Sequence, residues 1–379
     1  MKIGINALYS MSGKYGGMRV YLENLLNLLF EIDCENSYVL FCNAQNYKEL
    51  NFKNHNVKKN FCPVANGLSV SKTLWEQILL PVQTLKHRID ILFSPAYISP
   101  AFLKCKSVVT IHCTKYIHHP EDFNPLALSI LKVLIPLSAR KCNKIITVSN
   151  CAKSEIIKAF NVSENKISVI PYAAGSYFHP SEKKDNYLSE QYGIKKKYIL
   201  SVASTKPHKN LRALVEAYIR LRESGRIDHQ LVLAGDKRPL MKDNWFSKSF
   251  SNWGKDIIFT GIIPNNQLPQ FYTNADIFVF VSKYESFGIP IIEAMSCGTP
   301  VVTSSVFSMP EAAGGCALLA DPSDSQDIAN KIYELIKNQE LRNNLIEKGK
   351  KHTKNFSWRK TAEQTLKVFK ETCYNKGTI

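Results

Sequence analysis

One stretch of this chain, residues 276–302, constrains the fold more than any other. It begins with an apolar, aromatic and β-branched run at 276–281, which predicts a buried parallel strand. Pro290 is a favourable first residue for a helix, and Gly298 is a favourable residue to end one. A second apolar run follows at 300–304. The stretch therefore predicts strand, loop, short helix and next strand, which is the repeating unit of a parallel sheet covered by helices.

Two carboxylates flank the predicted start of this helix. Glu285 lies in the predicted loop at the carboxyl end of the strand, and Glu293 lies in the first predicted turn of the helix. Helix N-termini favour anions, and Gly288 lets a ligand approach the backbone closely. The spacing predicts a site for a phosphate-bearing ligand, with one carboxylate on each side to accept sugar hydroxyls. The alternative is an ordinary α/β crossover with one helix-capping glutamate and one solvated glutamate.

The rest of the chain repeats the alternation of strand and helix in two halves, which predicts two parallel sheets covered by helices. Strands are predicted at 2–8, 38–42, 89–94, 107–112, 144–149, 167–170, 198–203, 230–234, 256–260, 276–281, 300–304 and 317–319. Helices are predicted at 18–31, 74–87, 126–141, 151–160, 210–224, 266–273, 290–296, 325–337, 341–351 and 358–374.

The length of 379 residues and the pattern together predict two domains. Residues 181–197 are polar and charged, and are predicted to link them. The predicted organisation is a Rossmann-like N-terminal domain at 1–180, the linker, a Rossmann-like C-terminal domain at 198–355 and a final helix within 356–379. In open α/β sheets, ligands bind outside the carboxyl ends of the strands, so two facing domains would form a deep cleft.

Composition excludes several other classes of protein. The ten cysteines show neither paired spacing nor clustering with histidines, which argues against a zinc site and a disulfide framework and favours a reducing cytoplasm. We expect no signal peptide, because residues 1–8 predict a first strand. We expect no membrane span, because no apolar run approaches the roughly 20 residues that cross a bilayer.

The net charge of +17 is spread along the chain, with 20 Lys and Arg against 11 Asp and Glu in residues 1–180. No dense basic block or nucleic-acid motif occurs, so we predict no nucleic-acid partner. Peripheral contact with an anionic membrane is the better interpretation of the charge.

The stretch 282–302 strongly resembles the donor-binding motif of retaining nucleotide-sugar glycosyltransferases of family four. The resemblance rests on Phe-Gly-Ile-Pro at 287–290 between the two glutamates, followed by Gly-Thr-Pro-Val-Val at 298–302. It extends over most of the chain and is strongest from 198 to 322. It implies the GT-B fold, with two Rossmann-like domains facing each other across a deep cleft and a C-terminal helix crossing back to the first domain. The donor would lie mainly on the second domain and the acceptor mainly on the first.

The resemblance implies roles for individual residues of the second half. Glu285 would bind hydroxyls of the donor sugar and act in catalysis, and Glu293 would bind the ribose. Ser286 and the amides of Phe287, Gly288 and Ile289 would surround the sugar and the diphosphate. Lys209 resembles the family's phosphate-binding lysine, a catalytic position. Ser204 and His208 occupy positions where the family often has arginines. Gly261 and Ile262 resemble the loop that contacts the nucleotide base.

Two further motifs lie in the first half. A glycine-rich stretch at 13–21 includes Gly16 and Gly17, and resembles the family's loop beside the donor phosphates; the alternative is a plain flexible turn. His112 ends a predicted strand and resembles a catalytic histidine near the reacting sugar. Here Cys113 follows it, where the family often has an aspartate. The alternative is a histidine whose hydrogen bonds are satisfied locally.

The chain is therefore predicted to be a cytoplasmic, retaining hexosyltransferase in surface-polysaccharide synthesis, peripheral at the inner face of the cytoplasmic membrane. The resemblance favours mannose from GDP-mannose as the donor and a hydroxyl of a glycan or lipid-linked acceptor. No Asp-x-Asp sequence occurs, so we predict no metal and no cofactor. The alternatives are a UDP-sugar donor, a sugar-nucleotide epimerase on the same fold, and a non-enzymatic polyanion-binding protein.

Overall fold

The chain folds into two compact units, seen in a computed structural model that describes residues 1–9, 17–52, 54–64, 70–181, 187–238 and 240–374. Unit 1 comprises Met1–Tyr172 and the chain from Ser357 onward. Unit 2 comprises Ala173–Phe356. Each unit has its own parallel sheet, which confirms the predicted fold class of two Rossmann-like domains.

Unit 1 alternates strands and helices along its described residues. Its elements are β1 (Lys2–Ala7), α1 (Gly17–Ile32), β2 (Ser37–Cys42), α2 (Ala44–Glu49), β3 (Val57–Phe61), α3 (Val70–Lys86), β4 (Ile91–Ser94), β5 (Lys106–Thr110), α4 (Lys115–His118), α5 (Pro125–Lys141), β6 (Lys144–Thr147), α6 (Asn150–Phe160), β7 (Ile167–Val169) and α15 (Trp358–Tyr374). The strands lie in the order β3-β2-β1-β4-β5-β6-β7, and every pair is parallel. The order reverses between β1 and β4.

The final helix, α15, completes unit 1. It packs on α1, β5 and β6, and the Phe369 ring lies 5.0 Å from that of Phe93 on β4. Thr361 Oγ1 on α15 donates to the carbonyl of Pro171 at 2.9 Å. The last helix of the chain therefore shares a core with the first half of the sequence.

Unit 2 repeats the same architecture. Its elements are α7 (Tyr187–Tyr192), β8 (Tyr198–Val202), α8 (Leu211–Glu223), β9 (Gln230–Ala234), α9 (Asn244–Trp253), β10 (Ile257–Gly261), α10 (Leu268–Asn274), β11 (Ile277–Phe280), α11 (Ile289–Ser296), β12 (Val301–Ser304), α12 (Met309–Ala313), β13 (Leu318–Ala320), α13 (Ser325–Lys337) and α14 (Gln339–Thr353). The parallel strands lie in the order β10-β9-β8-β11-β12-β13, which reverses between β8 and β11.

Alternation along the central strands explains why both faces of this sheet are covered. On β11, Phe278 and Phe280 enter one hydrophobic core, while Ile277 and Val279 enter the other. All four side chains are buried, because helices cover each face. A continuous apolar run is what such a strand requires, and this is why the sequence predicts it well.

The sequence prediction misses the edge strand β3 and the helices α2, α4, α7, α9 and α12. Strand β3 carries Lys58, Lys59 and Asn60 and is only partly buried, so its sequence lacks the apolar run of a central strand. Apart from the 10-residue α9, the missed helices have four to six residues, too short to show a clear 3.6-residue period.

The division between the units lies between Tyr172 and Ala173, ahead of the predicted linker at 181–197. Phe178, Leu188 and Ile194 are buried in a core of unit 2, so the described part of this polar stretch folds with that unit. The second division lies at 356–357, where the sequence predicts the crossover helix to begin.

Among the described residues, no helix combines the length and apolar composition that crossing a bilayer requires.

Asn210 ties three loops of unit 2 together and supplies a stability prediction. Its backbone is left-handed, with φ at 57°, and its side-chain amide donates to the carbonyls of Val281 at 3.0 Å and Pro322 at 2.6 Å. We expect Asn210→Ala to lower the free energy of unfolding by about 2–5 kcal/mol, because it loses two buried hydrogen bonds and strains the backbone. Asn210→Gly should recover about 1 kcal/mol relative to alanine, because glycine tolerates this conformation.

Urea unfolding followed by tryptophan fluorescence measures both variants. Equal stability of wild type and Asn210→Ala would contradict the prediction.

Candidate active site

The candidate site lies at the carboxyl edge of the sheet of unit 2, where the strand order reverses between β8 and β11. Lys209 ends a short 3-10 turn, Pro207–Lys209, that follows β8. Glu285 lies in the loop that joins β11 to α11. Adjacent strands whose connections leave on opposite faces open a crevice between their loops, which is where open α/β sheets bind ligands. The topology therefore brings together two residues that are 76 positions apart in sequence.

Lys209 and Glu285 form a direct ion pair. The Lys209 ammonium donates to Glu285 Oε1, and the two side chains are 18% and 17% exposed. The ammonium also lies 5.2 Å from the centre of the Phe280 ring, at the end of β11. Such a half-buried pair is screened less than one at the surface, but both groups still reach solvent. A polar ligand can therefore contact the cation and the anion from the same side.

Hydrogen bonds between the loops hold this pair in place. The Lys283 amide donates to the carbonyl of His208 at 2.7 Å, which joins the loop after β11 to the turn after β8. Ser308 Oγ donates to the carbonyl of Glu285 at 2.7 Å, and Ser304 Oγ donates to that of Ser282 at 2.6 Å. The loops after three neighbouring strands are thus fastened to one another, so the two charged side chains extend from a rigid base.

Gly288 and Phe287 shape the entry to α11. Gly288 caps the helix with φ at 102°, a conformation that residues with a side chain rarely adopt. A Cβ there would lie 3.0 Å from Ile291 Cδ1. Phe287 is buried, with its ring 5.6 Å from that of Phe356. Ile289 is the first helical residue. The N-terminus of α11 thus comes within four residues of Glu285 in the chain.

Glu293 lies just beyond the first turn of α11, whereas the sequence predicts it within that turn. Because α11 begins at Ile289, Glu293 is its fifth residue, and the first turn contains no acid. The hydroxyl of Tyr272 on α10 donates to Glu293 Oε2 at 2.9 Å. Burial raises the pKa of Glu293 to about 7, and the hydrogen bond from Tyr272 offsets part of that increase. Glu293 therefore titrates near neutral pH.

The remaining predicted residues of unit 2 lie along the same carboxyl edge. Ser204 is exposed in the turn after β8, and His208 is buried beside Lys209. Gly261 ends β10 with φ at 74°, and Ile262 after it is 62% exposed. Strand β10 is the edge strand next to β9, so these two residues lie two strands away from β8.

His112 belongs to unit 1, just after β5, and is fully enclosed there. Its Nε2 donates to the carbonyl of Pro95 at 2.7 Å, and its Nδ1 accepts from the hydroxyl of Tyr172. The rings of Tyr21 and Tyr97 lie 4.9 Å and 5.2 Å away. Burial lowers the pKa of His112 to about 4, so the imidazole is neutral at pH 7. Both ring nitrogens have partners within the unit, an arrangement that the sequence interpretation names as its alternative.

Gly17 is the first residue of α1, while residues 10–16 of the glycine-rich stretch, including Gly16, lie outside the described part of the chain.

Sequence reasoning missed Tyr272 beside Glu293 and Tyr172 beside His112. Neither tyrosine lies in a recognisable motif, and only tertiary contact brings each to its partner. Within the described ranges, no group of three or more His, Cys, Asp and Glu side chains is placed to hold a metal ion.

The raised pKa of Glu293 predicts how stability depends on pH. The pKa of this carboxyl is about 4.5 in the unfolded chain and about 7 in the folded one. The free energy of unfolding therefore falls as pH rises from about 4.5 to 7, and the loss is complete above that range. We expect Glu293→Gln to remove this cost and to gain about 3 kcal/mol relative to wild type between pH 4 and pH 8. Tyr272→Phe should move the midpoint of the wild-type pH dependence upward, because it removes a hydrogen bond to the charged form.

Urea unfolding from pH 4 to pH 8 measures both effects. A difference between wild type and Glu293→Gln that stays constant with pH would rule out a raised pKa.

Comparison with known proteins supports the interpretation of these motifs. Residues 185–352 match the family model for glycosyl transferases group 1, and residues 15–173 match the model for Glycosyltransferase Family 4. O-antigen chain mannosyltransferase B of Escherichia coli is 30% identical, and the match covers 70% of this chain and 70% of that protein.

Solved structures share the fold over almost the whole chain. A glycosyltransferase from Rickettsia africae ESF-5 has a TM-score of 0.74 at 19% identity and covers 99% of each chain. Anabaena Alr3699/HepE in complex with UDP and glucose has a TM-score of 0.71 at 18% identity, and covers 98% of this chain and 100% of that one. The family models and the E. coli relative confirm the family predicted from residues 282–302, and the solved structures confirm the fold. The chain therefore belongs to glycosyltransferase family 4 and has the GT-B fold.

Proposed function

We propose that this glycosyltransferase transfers a hexosyl group, with retention, from a nucleoside diphosphate sugar to a hydroxyl of a glycan or lipid-linked acceptor in surface-polysaccharide synthesis. GDP-mannose is the favoured donor. The observation that carries the proposal is the Lys209–Glu285 ion pair at the β8/β11 switch point. The name of the E. coli relative, an O-antigen chain mannosyltransferase, supports the choice of mannose and of polysaccharide synthesis.

A donor would exchange partners with this ion pair. The diphosphate carries negative charge and competes with Glu285 for the Lys209 ammonium. Once the lysine turns to the diphosphate, the Glu285 carboxylate is free to accept hydrogen bonds from hydroxyls of the donor sugar. The pair thus prepares a cation and an anion at neighbouring points, which match the diphosphate and the sugar of one ligand.

The α11 end of the site would hold the rest of the diphosphate and the nucleoside. Amides of Phe287, Gly288 and Ile289 lie at the helix N-terminus, where an anion is favoured. Glu293 would accept hydrogen bonds from the ribose hydroxyls. Its pKa of about 7 means that donor affinity should increase with pH through this range, because the charged form is the stronger acceptor.

The nucleotide base would lie near Gly261 and Ile262. The exposed Ile262 side chain offers an apolar surface at the carboxyl edge of the sheet, and Gly261 has no side chain to cover the backbone beside it. Backbone contact of this kind accommodates either guanine or uracil. The UDP held by the Anabaena relative therefore supports a UDP-sugar as the second candidate donor.

Lys209 would act mainly in the chemical step. Negative charge builds on the departing diphosphate as the glycosidic bond breaks, so a fixed cation stabilises the transition state more than the ground state. The departing phosphate would assist attack on the same face of the sugar, and no protein nucleophile is required. The resemblance also gives His112 a role near the reacting sugar. Because Pro95 and Tyr172 already bond both of its ring nitrogens, His112 would act as a positioning residue through its neighbours.

A screen of nucleotide sugars tests the function. We expect GDP-mannose to raise the melting temperature, because a ligand that binds only the folded state stabilises it. Transfer to polysaccharide acceptors should follow at the same rate in excess EDTA, because Lys209 and helix-terminal amides would neutralise the diphosphate without a metal.

Stabilisation by a UDP-sugar alone would reassign the donor. Conversion of the donor in the absence of acceptor would identify an epimerase. A chain that binds no nucleotide sugar would overturn the proposal.

Replacement of Lys209 separates catalysis from binding. We expect Lys209→Ala to lower turnover at saturating donor by about a hundredfold, and donor affinity by about tenfold, since the lysine serves the transition state more than the ground state. Lys206→Ala is the matched control, because Lys206 is an exposed lysine in the same loop and should leave both values near wild type.

A double-mutant cycle with Glu285→Gln extends this test. The two side chains are in direct contact, so their effects on turnover should be clearly non-additive. Steady-state kinetics of the four proteins measure the coupling. Wild-type turnover in Lys209→Ala at saturating donor would exclude the lysine from the chemical step.

A further inference from the structure

Helix α3 of unit 1 exposes most of its apolar side chains and buries several polar ones, the reverse of a typical surface helix. Six of its apolar side chains are 44–61% exposed, whereas Trp75 and Leu80 pack in a core of unit 1. We call the exposed six the α3 stripe: Val70, Leu74, Ile78, Leu79, Val82 and Leu85. The side chains that it buries are mostly polar or charged: Lys72, Thr73, Glu76, Leu80 and Thr84. A surface helix normally does the opposite, so the α3 stripe needs an apolar environment other than the core of this unit.

A buried polar network fixes the rotation of α3. Lys72 Nζ lies 2.7 Å from Glu76 Oε2, and the two side chains are 2% and 3% exposed. Asn6 on β1 donates its side-chain amide to Glu76. Lys72 and Glu76 lie on the same helix, so their pairing offsets part of the cost of removing two charges from water. The bond from Asn6 to Glu76 and the packing of Leu80 in a core of unit 1 tie this face of α3 to the sheet. Because the spacing of four residues repeats from Val70 through Leu74 and Ile78 to Val82, the same rotation places these side chains in one outward row.

The apolar surface continues from α3 onto the neighbouring segment 99–102. Gln77 on α3 donates to the carbonyl of Ser99 at 3.4 Å and accepts from the amide of Ala101 at 3.0 Å. Phe102, next in the chain, is 78% exposed. Ser138 on α5 bonds both the amide and the carbonyl of Ser99 at 3.0 Å. Helix α5 therefore flanks the same segment.

A basic recess of about 510 Å³ adjoins this surface. It is lined by both residues that flank Phe102, by Ile89 and Asp90 just after α3, and by three lysines: Lys104, Lys106 and Lys141. Asp90 accepts from the backbone amide of Lys2 at 2.7 Å and is the acid among the lining residues. Within the described part of the chain, none of the three lysines has a salt-bridge partner. The recess therefore carries excess positive charge beside an exposed apolar surface.

We propose that the α3 stripe and Phe102 dock on a lipid bilayer, with anionic lipid headgroups held by the lysines of the recess. The apolar side chains enter the boundary between headgroups and acyl chains, as the apolar face of an interfacial helix does. The lysines gain energy beside anionic lipids.

Charge favours a bilayer over a second copy of the chain. A two-fold contact pairs this face with itself, so beyond Asp90 it brings the three lysines little opposite charge. An anionic lipid surface instead provides the opposite charge together with an apolar interior. No residue of this face belongs to the candidate active site, so membrane binding and glycosyl transfer can be tested separately.

Co-sedimentation with vesicles tests the proposal. Wild type should bind vesicles that contain phosphatidylglycerol more tightly than vesicles of phosphatidylcholine alone. Leu74→Asp with Ile78→Asp should weaken binding at least about tenfold, because both side chains lose their burial in lipid. The matched control is Phe61→Asp. Phe61 is 53% exposed in the same unit. Its neighbour Asn60 contacts His87, just after α3, and successive strand residues point to opposite faces, so Phe61 points away from α3.

Charge reversal tests the recess. Lys104→Glu with Lys141→Glu should weaken binding to the anionic vesicles by at least about fivefold in 0.1 M salt. In 1 M salt the difference should disappear, because screening shortens to about 3 Å, while the apolar part of the binding persists. Thermal unfolding and transfer to a water-soluble acceptor show whether each variant remains folded.

Three results would overturn the proposal. The first is vesicle binding that the α3 variant does not weaken. The second is a wild type that binds no vesicles but forms a dimer that the α3 variant dissociates, which would make the face a contact between copies. The third is stabilisation by inorganic phosphate that the lysine variant abolishes, without any vesicle binding, which would make the recess a site for free anions.

Discussion

The strand order of unit 2 reverses between β8 and β11, and the candidate site depends on that reversal. Helices on either side of the reversal leave from opposite faces of the sheet, so the loops after the two strands stand apart and open a crevice. Lys209 follows one strand and Glu285 follows the other. Had β8 and β11 been separated by another strand, the ammonium and the carboxylate could not meet. The chemistry proposed for this protein therefore starts from a property of the sheet and only then from the two side chains.

The two charges of the ion pair have different partners in the free protein and in the proposed complex. Without a donor, each charge satisfies the other at modest cost, since both side chains still reach solvent. With a donor, the same atoms would be divided between diphosphate and sugar. The hydrogen bonds from Ser308, Ser304 and Lys283 hold backbone groups and do not use the reacting side chains. The scaffold can thus remain unchanged while the pair exchanges partners, which is the preorganisation that electrostatic catalysis requires.

Unit 1 uses buried polar groups differently. The Lys72–Glu76 pair is removed from water, and Asn6 on β1 bonds Glu76, which ties this face of α3 to the sheet. His112 is likewise enclosed by tyrosines and held in one tautomer by Pro95 and Tyr172. In both places, a buried titratable side chain is bonded to a neighbouring element and holds it in one orientation. The outward apolar row on α3 is a consequence of the first of these arrangements.

The sequence by itself determined the elements whose signal is local. The apolar strands are one example, since a strand buried on both faces needs a continuous apolar run, as at 277–280. Two further elements with a local signal are the helix end at Gly298 and the strand–loop–helix motif around Glu285. The same motif was sufficient to predict the family. Weak local signals, such as the polar edge strand β3 and the short helix α7 within the predicted linker, could not be recognised in this way.

Only the tertiary structure decided the contacts that join distant parts of the chain. The pairing of Lys209 with Glu285, the hydrogen bond from Tyr272 that accompanies the raised pKa of Glu293, and the enclosure of His112 by Tyr172 all link residues 21 to 76 positions apart. The direction in which α3 turns its apolar side also depends on Asn6, some 70 residues earlier. Periodicity shows that a helix has two faces, but contacts with other elements, here the bond from Asn6 to Glu76 and the core packing of Leu80, show which face turns outward.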